Sequence, residues 1–177
     1  MLSVSVSEGL CLAAHEAGHA AVGVLLGGQV DVAETFDERW WATVGGGRCR
    51  FAPLDGPPVS WSLIAAAGPV AEAVARFGSR PTLAQFDAVL ASGGRSDVAA
   101  MREGGADAVD SCREVLPLVL RVWPVVARLA VAMDGGRLVN HEAVVTALGL
   151  SRDRGLHGFE CQNIRAGLRP VPAPVAV

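Results

Sequence analysis

LAAHEAGHAAVGVLLGG, residues Leu12 to Gly28, places two histidines and a glutamate inside an otherwise apolar run. Ser7 is a capping residue type and Gly27-Gly28 can end a helix, so the stretch reads as one helix from about Glu8 to Leu26. Helical residues four apart project from one face. His15 and His19 can therefore meet at a common point. Glu16 lies one position on, about 100° around the axis, where its carboxylate can reach a water beside an ion without ligating that ion. H-E-x-x-H on a helix is the spacing that holds zinc between two imidazoles and adds a general base for hydrolysis. Burying three such groups without a metal is costly, so the apolar context itself favours the metal reading.

Outward from that helix, Gln29 to Phe51 alternates, carries β-forming residues and encloses Gly45–Gly47, which reads as two or three short strands with a glycine turn. Trp40 and Trp41 there either line substrate pockets or pack the hairpin on the core. SWSLIAAAGPVAEAVARF, from Ser60 to Phe77, is helical in pattern, and Gly68-Pro69 marks a kink or a break. A short helix is expected at LAQFDAVL, and Ser96 is expected to cap another at DVAAMRE. Asp107 to Met133 reads as helix bent by Pro117 and Pro124, and Asn140 caps a last helix, HEAVVTALG. After Ser151 the periodicity fades, and residues 151–177 are expected to form an extension with a loose, partly disordered tail. The expected fold class is mainly α with a small β-hairpin, an α+β domain over residues 1–150.

The 177 residues suit one domain with a sizeable core. A net charge of -3, with no block of like charges, argues against nucleic-acid and membrane-surface partners. VLPLVLRVWPVVARLAVAM approaches the length of a membrane span, but Arg121 and Arg128 near its middle favour a buried helix pair. The same interruption argues against an intramembrane protease, which needs several clean spans. Cys11, Cys49, Cys112 and Cys161 form no CxxC pair and no leader is evident, so reduced thiols and a cytoplasmic location are expected. All fifteen basic residues are arginine. Without a lysine a phosphate loop for ATP is not expected. Without a tyrosine, an oxyanion would be stabilised by the metal, an arginine or a histidine.

A catalytic zinc site normally takes three protein ligands and keeps one position open. Asp97, Glu72, His141 and His157 are the candidates for the third. His141 follows the cap Asn140 and reads as a surface residue, and His157 falls in the aperiodic C-terminal region. A carboxylate at Glu72 or at Asp97 could complete the set, and spacing alone leaves both open.

HEAGHAAVGVLLGG, a short β region, AAAGPVAEAVARFG, GGRSDVAAM, a long helix and GGRLVNHEAVVTAL follow one another between about Ser7 and Leu150. In that order they resemble the peptidase domain of the FtsH-type ATP-dependent zinc metalloproteases. The resemblance implies a zincin-like metallopeptidase domain with Zn2+ held by His15, His19 and Asp97, and Glu16 as catalytic base. Glu72 matches the glutamate of the family's AAE element, for which a role behind the ligands is inferred. Pro69 stands where the family usually has arginine, and the interval from Glu72 to Asp97 is longer than usual. The family's ATPase module and membrane anchor do not occur in this sequence. The expected partner is a polypeptide substrate, and the resemblance admits a separate ATPase and a homo-oligomer. The competing expectation is a non-catalytic metal-binding or regulatory module derived from the same fold, although such descent would be expected to lose Glu16 first.

Overall fold

The computed structural model describes residues 6–36, 46–52 and 60–173. Helix α1 (Glu8–Leu25) is the axis of the molecule, capped by Ser7, whose hydroxyl accepts from the Leu10 amide. From Ala13 to Leu25 every residue is buried. A helix apolar on all sides must be enclosed by others, and α1 contacts α2 (Trp61–Phe77), α6 (Trp123–Asp134), α7 (His141–Leu148), α8 (His157–Ala166) and both strands. Its alanines and glycines allow close approach. A Cβ on Gly18 would lie 2.5 Å from the Ala67 carbonyl oxygen on α2.

Strand β1 (Val30–Phe36) pairs antiparallel with β2 (Gly46–Phe51), from Val30 opposite Phe51 to Phe36 opposite Gly46. On its other side β1 makes one bridge, with Ala33 and Val139 exchanging amide–carbonyl bonds of 2.7 and 2.9 Å. Phe51 anchors this sheet against α1. Its ring occupies the space a Cβ on Gly23 would need, at 2.3 Å, and meets Trp61 edge-on at 5.7 Å. Gly46 and Gly47 are already in the ladder, so two of the three glycines expected to turn the chain are strand residues instead. Gly45, Trp40 and Trp41 lie outside the described residues.

Helix α2 runs unbroken through Pro69 rather than splitting there. Helix α3 (Leu83–Ser92) starts with a Thr82–Gln85 capping box, and α4 (Arg95–Glu103) starts two residues earlier than expected, with Gly94 at the cap and Ser96 inside the first turn. The long apolar segment forms α5 (Ala108–Arg121) and α6, bent by 87°. The bend falls at Val122 because Pro124 suits the first turn of a helix, where its missing N–H is not needed. Pro117 is accommodated within α5. Among the described residues no single helix is long and apolar enough to cross a membrane. All four cysteines are free.

The C-terminal region departs from the expectation of an aperiodic extension. A 3-10 turn (Arg154–Leu156) leads into α8, whose Cys161 and Ile164 join the core under α1. Arg169 then ties the chain back, through the Glu160 carboxylate and the Gly149 carbonyl. Among the described residues the class is a mainly helical fold with one two-stranded antiparallel sheet.

Candidate metal centre

Three helices meet at the polar interruption of α1. His15, Glu16 and His19 come from its middle, Glu72 and Arg76 from α2, and Asp97 from the first turn of α4. α1 and α2 run antiparallel, which is why rising positions on α2 meet falling ones on α1. The Ile64 carbonyl meets His19, Glu72 meets His15, and Arg76 meets Glu8.

Each imidazole is fixed by what its Nδ1 meets. The His19 Nδ1–H donates to the Ile64 carbonyl at 2.7 Å, since a carbonyl can only accept. His15 Nδ1 lies 2.9 Å from Glu72 Oε2. Both rings consequently turn Nε2 toward one carboxylate. Asp97 Oδ2 is 3.1 Å from His15 Nε2, and Asp97 Oδ1 is 3.3 Å from His19 Nε2. Glu72 is thus at the far side of His15, and its other oxygen accepts from Arg76 Nε at 2.9 Å.

These residues fit a divalent metal ion. His15, His19 and Asp97 each offer one donor atom, and the three atoms lie within 4.8 Å of one another. Two ligands at zinc-like distances in a tetrahedron are about 3.3 Å apart, close to the separations of Asp97 from both rings. Glycine is required beside them, because a Cβ on Gly68 would lie 2.2 Å from His19 Nε2 and 2.7 Å from His15 Cδ2. Charge points the same way. With neutral histidines, the buried or largely buried Glu16, Glu72 and Asp97 face one guanidinium, Arg76, leaving two net negative charges to be balanced.

Without an ion the cluster balances itself through protons. Burial opposes a charge on His15, but its hydrogen bonds to Asp97 and Glu72 prevail and raise its pKa to about 10. Burial likewise works against the Asp97 carboxylate, yet the hydrogen bonds from both histidines hold its pKa well below the usual range. Glu72 is lowered too, with burial outweighed by His15 and Arg76. Glu16 goes the other way. Burial raises its pKa, and the attraction of the two histidines only partly offsets that. A carboxylate raised in this way is a better proton acceptor than an exposed one.

The cluster opens into a cleft of about 1140 Å³, between Thr35, Phe36 and Gly46 to Cys49 of the sheet on one wall and Ser96 and Asp97 on the other. Glu16 lies against β2, where a Cβ on Gly47 would sit 2.6 Å from its Oε1.

The structure therefore brings His15, Glu16, His19, Glu72 and Asp97 together, and leaves His141 and His157 at a separate pocket on α7 and α8. Arg76, Gly68 and Gly47 are the site residues that sequence reading did not single out. The i, i+4 spacing of Glu72 and Arg76 was a visible signal for the first. The chain matches no protein-family model, no curated protein and no solved structure.

Proposed function

We propose that the chain is a zinc-dependent metalloendopeptidase of zincin-like build, hydrolysing peptide bonds of extended or unfolded polypeptides. The observation that carries the reading is the convergence of His15, His19 and Asp97 on one point, with Glu16 beside them in an open cleft. His15 Nε2, His19 Nε2 and an Asp97 oxygen would hold the ion, and Glu72 would orient His15 from behind. Zinc bound there supplies a Lewis acid that polarises the scissile carbonyl and lowers the pKa of a water.

Glu16 does the proton work. Its carboxylate accepts a proton from the water as the water oxygen attacks the carbonyl carbon. It then returns that proton to the leaving nitrogen as the C–N bond breaks, so the base is regenerated in each turnover. In the metal-free protein burial makes this carboxylate more basic than an exposed one.

The substrate's backbone is positioned by β2. Among the described residues β2 pairs only with β1, and its Gly46 to Cys49 segment lines the cleft. An extended peptide can add to the other edge as a further strand, which places its carbonyls beside Glu16. The test is hydrolysis of an unfolded, casein-like substrate before and after chelation. Activity lost on chelation and restored by Zn2+ supports the reading. Zinc binding with no hydrolysis of any unfolded substrate would favour a metal-binding module instead.

A further inference from the structure

We infer that Arg76 is a positioning residue for the metal centre, holding the Glu72 carboxylate so that it fixes the His15 ring. The inference rests on the metal reading above and assigns a role to a residue outside the ligand set.

A chain of four groups runs from solvent to the centre. Glu8, at the start of α1, has a side chain 81% exposed and receives both terminal nitrogens of Arg76, at 2.7 and 2.5 Å. Arg76 Nε donates to Glu72 Oε1 at 2.9 Å, and Glu72 Oε2 meets His15 Nδ1 at 2.9 Å. Each partner uses a different atom for each neighbour, so all the contacts hold at once. Glu8 and His15 are seven residues apart on one face of α1, and Glu72 and Arg76 four apart on one face of α2. The network therefore also fixes the register of two antiparallel helices at the level of the ligands.

A carboxylate with one free oxygen can rotate and present either oxygen, or a water, to the imidazole. With Oε1 held by the guanidinium, Glu72 has only Oε2 for His15. Nδ1 then keeps its proton, and the Nε2 lone pair faces His19 and Asp97. Arginine is required for the fork: its Nε and its two terminal nitrogens lie in one plane and serve two carboxylates. Lysine would supply the charge alone. The two arms differ in weight, because the Glu8 arm is exposed and screened while the Glu72 arm is largely buried.

The test measures zinc affinity by competition with a chromophoric chelator, together with the Nδ1–H proton resonance of His15 in the zinc-loaded protein. Arg76→Gln should weaken zinc binding by about tenfold to a hundredfold, the range for partners behind a ligand, and broaden the His15 resonance by faster exchange with solvent. Arg76→Lys should fall between that variant and the parent. Glu8→Gln should change affinity by less than about threefold. A merely structural tie between the helices would lower thermal stability and leave the resonance as it was. Zinc affinity within about threefold of the parent, with an unchanged His15 resonance, would overturn the assignment. If Arg76→Gln does not fold, the same two readings on Arg76→Lys decide it. A parent that binds no zinc would overturn the metal reading and this inference together, whereas a zinc-binding parent with an indifferent Arg76→Gln would overturn this inference alone.

Discussion

At the scale of the residue, two carboxylates compete for the role of third ligand, and their geometry separates them. Asp97 faces the Nε2 atoms of both histidines, while Glu72 meets only the Nδ1 of His15. Asp97→Ala should therefore lower zinc affinity far more than Glu72→Ala, for which a tenfold to hundredfold loss is expected. Titration with Zn2+ against a competing chelator checks the ranking, and the reverse order would make Glu72 the ligand. The sequence made His15, Glu16 and His19 legible because their relation is local, four residues on one helix. It left Asp97 and Glu72 open because both reach the site through folding, from elements 57 and 82 positions away from His15. Arg76 had a local signal in its i, i+4 spacing from Glu72, and only its Glu8 partner, 68 positions away, was out of reach of the sequence.

At the scale of the element, glycines decide how closely the helices and the sheet approach the site. Of the kink or break expected at Gly68-Pro69, the break does not occur because α2 is continuous, and a Cβ on Gly68 would take the space of the two imidazoles. Gly68→Ala should cost about 1–3 kcal/mol of stability through overpacking, measured by denaturant unfolding, and should lower zinc affinity by on the order of a hundredfold. Gly47→Ala addresses the base instead. Its Cβ would meet Glu16 Oε1 at 2.6 Å, so the variant should bind zinc normally and lose on the order of tenfold to a hundredfold in hydrolysis. Equal zinc affinity for the parent and Gly68→Ala would show that α2 is not held where the structure has it. Elements with strong local signals were readable: α1 from Ser7 to the double glycine, α3 at LAQFDAVL, and α7 from Asn140. Helix α8 was not, because only Cys161 and Ile164 of its ten residues are buried and Phe159 is 66% exposed. Its place is set by packing on α1 rather than by an amphipathic stripe of its own.

At the scale of the whole molecule, the buried cluster couples protons and stability. In metal-free protein, His15 has a folded pKa of about 10, above its ordinary 6.5, so its contribution is full below about pH 6.5 and lost as pH rises through about 10. Asp97 and Glu72 are lowered from 3.8 and 4.5, so theirs is present above those values and lost as pH falls below them. Thermal unfolding under chelation should therefore show greatest stability between about pH 5 and pH 6.5, declining on both sides. Rising stability from pH 8 to pH 10 would contradict the charged His15. The absence of lysine leaves no phosphate-loop cation for ATP. Unfolded substrates should accordingly be cut equally with and without ATP, and a stable folded domain should survive both. Cleavage that required ATP and a separate ATPase would mean that the active unit is larger than this chain. The most direct measurement is bound zinc and casein-like peptide hydrolysis, determined side by side for the parent and Glu16→Gln. The expected result is about one zinc per chain in both proteins and a loss of hydrolysis of about a hundredfold or more in the variant, because in the proposed mechanism Glu16 moves protons and does not hold the ion. Full hydrolysis by Glu16→Gln, or no zinc in the parent, would contradict it.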